Sequence, residues 1–158
     1  MSTRQQRIAR PLVALFTVLS LLAWTASSGQ ARPVTDARKT LTTSGVKGGL
    51  VVHVGCGDGR LTAALRANDG YLVQGLAQNA GDVRKARKHV NSRGLYGPVS
   101  VDRWSGDRLP YAENIVNLLV VDGGVDIARD EMMRVLAPHG VACVRDGDRW
   151  AKTTKPWP

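Results

Sequence analysis

The sequence predicts an α/β domain built on a doubly wound, mostly parallel sheet, and three observations lead there. Short apolar runs, typical of strands buried on both faces, alternate with segments of helical periodicity. The first run passes through a glycine-rich turn directly into a helix. The spacing of the runs leaves room for a helical crossover between successive parallel strands. A chain of 158 residues holds one such domain.

Leu50-Val51-Val52-His53-Val54 is the first strand, Gly55 to Gly59 the turn, and Arg60 to Ala67 a helix with Leu61, Ala64 and Leu65 on one face. Tyr71 to Leu76 reads as a second strand, and Gly81 to Ser92 as a second helix through Val83, Ala86 and Val90. Pro98 to Val101 makes a short third strand. After a loop over Asp102 to Asn114, Ile115 to Val121 is a buried strand. Asp126 to Leu136 follows as a helix with Ile127, Met132, Met133, Val135 and Leu136 turned inward, and Gly140 to Val144 is a last strand. About five strands are visible, and the C-terminal strands of such a sheet read as missing. The ordered domain spans 48–146. Residues 32–47 are polar, rich in Thr, Arg, Lys and Gly and without periodicity, and read as a linker; 147–158 read as the start of an extended tail.

The N-terminus has the grammar of an export signal over residues 1–31. Arg4, Arg7 and Arg10 form a basic region without an acid, and Leu12 to Trp24 is an almost unbroken apolar run. Gly29-Gln30-Ala31 offers small residues before a cleavage site. A spanning helix needs roughly 20 apolar residues, so the run is short for an anchor, although an uncleaved anchor stays open. The expected localisation is periplasmic or extracellular, with no membrane span after cleavage.

Without those 31 residues, 19 Lys and Arg stand against 13 Asp and Glu, a net charge of +6. Arg84, Lys85, Arg87, Lys88 and Arg93 hold much of the excess. The stripe reads as a solvated helix face rather than a nucleic-acid surface, because no aromatic residue interleaves with it. The cysteines, Cys56 and Cys143, fall on strands separated by another strand, about 10 Å apart, too far to bridge. Two free buried thiols are expected. No His/Cys cluster has metal-ligand spacing, which argues against zinc.

In Gly55-Cys56-Gly57-Asp58-Gly59 the glycines stand at positions 1, 3 and 5, whereas a nicotinamide-dinucleotide turn wants its third glycine one place later, at Arg60. Leu109-Pro110-Tyr111-Ala112-Glu113-Asn114, Val116 to Val121, and Arg134-Val135-Leu136-Ala137-Pro138-His139-Gly140 follow in order. Together these resemble the class I S-adenosylmethionine-dependent methyltransferases, which are Rossmann-like. The likeness covers about 100 residues. More narrowly, Gly48 to Gly59, Gly94 to Trp104 and Lys155-Pro156-Trp157-Pro158 look like methyltransferase-like modules that precede pyrroloquinoline-quinone-type β-propellers in large secreted bacterial proteins.

The resemblance implies S-adenosylmethionine as cofactor, with Gly55, Cys56, Gly57, Asp58 and Gly59 around its amino-acid part. Asp58 reads equally as a turn-stabilising residue. The acid that would hold the ribose falls at Ala77, leaving Gln78 or Asn79 as weaker amide substitutes. The acid expected near the adenine falls at Ser105, with Asp107 close enough to stand in if the loop shifts. Each lost charged hydrogen bond costs on the order of 1.5–3 kcal/mol, so cofactor binding is expected to be weak or lost. Asp122, at the carboxyl end of its strand, sits where open α/β sheets place ligands, though holding its own loop is the commoner role. His53 reads as a packed core histidine, and Trp104 as a packing residue more than a stacking surface for adenine. His139 has no assigned role, and no catalytic base is discernible.

Two functions stand open. One is methyl transfer to an unknown acceptor, which needs alignment more than a base. The other is a non-catalytic interaction or structural module in an exported protein, favoured by the missing acids and by export, since S-adenosylmethionine is made and used inside cells. The glycine spacing and Ala77 disfavour a nicotinamide-dependent dehydrogenase.

Overall fold

A computed structural model describes residues 28–106 and 108–157 of the chain. Its elements, in order, are α1 (Ser28–Ser44), β1 (Gly49–Val54), α2 (Arg60–Leu65), β2 (Tyr71–Ala77), α3 (Ala80–Ser92), β3 (Val99–Arg103), β4 (Val116–Val121), α4 (Arg129–Val135), β5 (Leu136–Asp146) and β6 (Arg149–Thr154). They form one sheet of strand order β3-β2-β1-β4-β5-β6. Every pairing is parallel except β5 with β6. The expected α/β architecture is therefore present, with the strand order reversing beside β1.

Alternation along the strands sorts the core onto two faces. Val51, Val73, Val99, Val101, Leu118, Val120, Val141 and Cys143 pack beneath α1, α2 and α3 with Leu61, Leu65, Val83, Ala86 and Val90. Val52, Val54, Leu76, Val116, Leu119, Val121 and Ala142 form the other side with Trp104, Leu109, Ile127 and Val135. Trp104 belongs to this second cluster, where its indole N–H donates to the Arg108 carbonyl at 2.8 Å. It is packing, not a free stacking surface.

Two segments read as unstructured are elements of the sheet and its cover. Residues 32–47 lie mostly in α1, which packs on α2 and buries Ala37, Thr40 and Ser44. Small and hydroxylated residues carry that contact, so no apolar periodicity announces the helix. Lys152 Nζ donates to the Thr43 carbonyl at 2.9 Å and the Ser44 carbonyl at 3.2 Å, satisfying orphan acceptors at the helix end. The tail is not a linker: Arg149–Thr154 pairs antiparallel with β5 as a sixth strand. The two residues Gly147 and Asp148 make the turn, with Gly147 at φ 58°, a standard short hairpin connection. Residues 1–27, with the expected basic region and apolar run, lie outside the described residues, and the expected cleavage point after Ala31 falls inside the range of α1. Among the described residues, no helix is long and apolar enough to cross a membrane.

Boundaries elsewhere move by a few residues. Leu136 begins β5 instead of ending the preceding helix, because it pairs with Val116 across a register shift in the β4 ladder. Both cysteines are free and buried, Cys56 in the turn after β1 and Cys143 on β5. Burial pushes their thiols up, to about 12 and about 11 respectively, so both stay protonated.

Gly59 fixes how the two crossover helices meet. It has φ 78°, and a Cβ there would lie 2.7 Å from the Cα of Ala86 in α3. Gly59→Ala is expected to cost about 2–3 kcal/mol through left-handed strain and forced separation of α2 from α3. Urea unfolding of the variant checks this, and an unchanged midpoint would refute the packing role.

Candidate functional site

The carboxyl ends of β1 and β4 meet where the strand order reverses, and the glycine turn grows from that point. Gly55 N and Cys56 N both donate to the Leu76 carbonyl, at 2.9 and 3.1 Å, so the turn stays tied to the end of β2. Gly59 N closes back on the Cys56 carbonyl at 2.9 Å. The amides of Gly57 and Asp58 have no acceptor among the described residues. Gly55 is pinned against the β4 end, where a Cβ would fall 2.0 Å from the Asp122 carbonyl oxygen. Gly57 differs: a Cβ there would meet nothing nearer than the Gly55 carbonyl oxygen at 4.0 Å. The three glycines thus do different work. Gly55 and Gly59 permit close packing, and Gly57 faces open space.

That space is a cavity of about 240 Å³ whose lining includes Asp36, His53, Gly57, Asp58, Asp122 and Arg145. Asp58 accepts from Arg60 N at 3.1 Å and pairs with the Arg60 guanidinium at 3.3 Å, so it stabilises the turn and borders the cavity at once. Asp122 accepts from Gly123 N at 2.7 Å, which holds its own loop, and its Oδ1 lies 2.8 Å from Arg145 Nε. Arg145 also donates through Nη2 to Asp36 of α1 at 2.7 Å and lies over the Trp150 ring at 4.3 Å. One cation is therefore shared between two carboxylates that belong to different layers. Sequence reasoning missed Asp36 and Arg145, because α1 was read as a linker and the last strand was read to end at Val144, one residue before Arg145.

His53 sits on the helix-covered side of β1, 1% exposed. Its Nδ1 lies 2.8 Å from Thr62 Oγ1 of α2, and its Nε2 is buried without a partner. Burial first, opposed by Asp122 and helped by Arg145, lowers its pKa to about 4, so the ring is neutral.

The nucleoside side of the expected site is less complete. Ala77 is buried at the end of β2, and Gln78 and Ser105 are exposed. The Gln78 carbonyl accepts from Arg103 Nε at 3.3 Å, and Asn79 caps α3 by accepting from Asp82 N at 2.8 Å, so Asn79 is committed elsewhere. Asp107 lies outside the described residues.

The Leu109-Pro110-Tyr111 segment is clamped from α4. Arg134 donates to the carbonyls of Tyr111 at 2.8 Å and Leu109 at 3.1 Å, while Glu131 accepts from Leu109 N at 2.6 Å and pairs with Arg134 at 2.7 Å. Tyr111 Oη donates to Gln74 Oε1, and Gln74 Nε2 donates to Asp102, each at 2.9 Å. Asp102 also pairs with Arg87 at 2.9 Å, and Lys85 with Asp82 at 3.3 Å, so two members of the basic stripe are spent within the fold. Among the described residues, no cluster of His, Cys, Asp and Glu could hold a metal ion.

A family model described as a methyltransferase domain matches residues 52–144. The methyltransferase GfsG of Streptomyces halstedii is 32% identical over 105 residues, which cover 63% of this chain and 38% of that protein. The chain thus spans well under half the length of that relative. Among solved structures, a SAM-dependent methyltransferase from Aquifex aeolicus superimposes with TM-score 0.60 at 22% identity, over 72% of this chain and 68% of its own. The [4+2]-cyclase SpnF superimposes with TM-score 0.62 at 21% identity, over 70% and 43%. Likenesses this distant establish the fold.

The His53 ring gains its proton near pH 4 in the folded chain and near pH 6.5 once unfolded. Between those values the unfolded state binds more protons, so stability is complete above pH 6.5 and falls as pH drops toward 4, by on the order of 3 kcal/mol. His53→Phe is expected to remove that part of the slope in unfolding titrations at pH 6.5, 5.5 and 4.5. A variant with the wild-type slope would show that the proton is taken up elsewhere.

Proposed function

The chain belongs to the methyltransferase domain family, and from that premise we propose that its glycine-turn cavity holds the amino-acid end of S-adenosylmethionine for methyl transfer to an acceptor. The observation that carries this reading is Gly57, whose missing side chain leaves space above two amides without acceptors at the carboxyl end of β1. Amides so placed suit a carboxylate, and Asp36 and Asp122 offer partners to an ammonium group across the same cavity. S-adenosylmethionine supplies, when bound, a methyl group on a sulfonium centre that a nucleophile can attack. The chain's own part is to bind and orient, since transfer needs alignment more than proton removal.

The residues fit one end of this cofactor better than the other. Ala77 cannot accept the ribose hydroxyls, and the loss of that charged hydrogen bond weakens affinity by about tenfold to a hundredfold. This favours a second reading, a methyltransferase-fold module that contacts a partner without transferring methyl groups. The Arg4-Arg7-Arg10 region, the apolar run after it, and the strings Gly48–Gly59 and Gly94–Trp104 support an exported protein in which such a module stands ahead of a quinone-type β-propeller. Fractionation of cells producing the full chain tests export, and full-length protein held in the cytoplasm would overturn it.

Calorimetric titration of the folded chain with S-adenosylmethionine and S-adenosylhomocysteine decides between the two readings. Binding is expected, abolished by Gly57→Val in a variant whose fold is checked by circular dichroism because Gly57 has φ 51°, and tightened roughly tenfold or more by Ala77→Asp. No heat from the folded wild-type protein would leave the module reading standing.

A further inference from the structure

The outer side of the helix layer is grooved. α2 lies between α1 and α3, and the side chains along it there are short, Ala63 and Ala64 with Ala67 just beyond, so its neighbours form walls. Two hollows of about 580 and 200 Å³ lie along this trough and share Val34 of α1 and Ala64 of α2. Val34 is 55% exposed, an apolar side chain left open where the hollows meet. Leu41 lines the first hollow and Leu95 the second, each packed on the core beneath.

The rim is cationic and unneutralised. Arg38 and Lys47 border the first hollow and Arg93 the second, and among the described residues none of the three has an acidic partner. Residues 28–95, which build the helix layer, carry 11 Lys and Arg against 4 Asp and no Glu. All four acids are spent: Asp36 pairs with Arg145, Asp58 with Arg60, Asp69 with Arg66 and Asp82 with Lys85. Residues 96–158 are balanced, 8 Lys and Arg against 9 Asp and Glu. The positive excess of the chain after residue 27 therefore lies in the segment that frames the trough.

This combination selects an occupant. A second copy would set like charge against like, and residues 1–27 carry Arg4, Arg7 and Arg10 without an acid, so neither neutralises the rim. A flat lipid surface reaches the rim but not the recessed floor. We propose that the trough docks an acidic amphipathic helix of a partner protein. Its apolar residues, at i, i+3, i+4 and i+7, lie on Val34, Leu41 and Ala64, and its carboxylates face Arg38, Lys47 and Arg93. Docking there is independent of cofactor binding, because the hollows share only Pro33 with the glycine-turn cavity.

The probe is a synthetic peptide of about 18 residues with leucines at that spacing and glutamates elsewhere, titrated by fluorescence anisotropy into the full chain. Binding is expected, and a scrambled peptide of the same composition should bind at least about tenfold more weakly. Ala64→Arg fills the floor while keeping the positive sign, and it should cost about tenfold or more. The exposed double change Arg38→Glu with Lys47→Glu should cost as much and abolish the salt dependence. Scrambled and ordered peptides bound equally, or variants that bind like the wild type, would reduce the effect to bulk charge attraction and overturn the inference. So would a wild-type chain that ignores the peptide but sediments with phosphatidylglycerol vesicles, which would assign the face to a membrane surface. Should Ala64→Arg fail to fold, amide exchange in the wild-type chain decides: the amides of α1 between Val34 and Leu41 are expected to slow when the peptide is added, and unchanged rates there refute docking in the trough.

Discussion

The parallel pairing of β1 with β4 organises the rest of the molecule. It continues past the strand ends through Asp122 N to the Val54 carbonyl at 2.9 Å, and through the side-chain-free approach of Gly55 to Asp122 and Gly123. Because β2 lies on the other side of β1, the chain must leave in opposite directions from these two strands. A crevice opens there for topological reasons alone. The glycine turn lines one wall and the Asp122 loop the other. Any residue larger than glycine at position 55 would push those walls apart, so geometry rather than ligand chemistry sets the first glycine.

Much of the sheet was legible because its strands are buried on both faces and read as unbroken apolar runs. The turn was legible because three alternate glycines followed by a helix leave few other interpretations. What escaped notice did so for physical reasons. α1 makes its contact through Ala37, Thr40 and Ser44, and a helix that packs by small residues shows no hydrophobic stripe. The hairpin to β6 carried its own signal in Gly147-Asp148, a two-residue connection of the favoured kind, but an exposed edge strand of Arg, Lys and Thr has little alternation to accompany it. His53 was read correctly as buried, and burial alone gave no hint that one nitrogen would be left over.

The binding machinery is uneven along its length. Around the glycine turn, charge of both signs and amides without acceptors surround a common space, beside an imidazole with one nitrogen unpartnered. Toward the end of β2, the chain offers an alanine and an exposed glutamine. The scaffold for that second half is nonetheless firmly built, since Arg134 and Glu131 fasten the Leu109–Tyr111 segment by three hydrogen bonds to its backbone and hold each other by two more. Rigidity and ligand chemistry have separated here: the loop that would border a nucleoside is held in place whether or not a nucleoside comes.

The pairing of Arg145 with Asp36 spans 109 residues, as does the bond from Lys152 to the Thr43 carbonyl. Both join the beginning of the described chain to its end. The glycine turn, β2, β3 and β4 all precede Arg145 in the chain, so the cavity gains its cation only when β5 takes its place in the sheet. Closing so long a loop is slow relative to local pairing. The charged pocket is therefore tied to the sheet's last parallel strand, and it exists only once β5 and α1, far apart in sequence, have met.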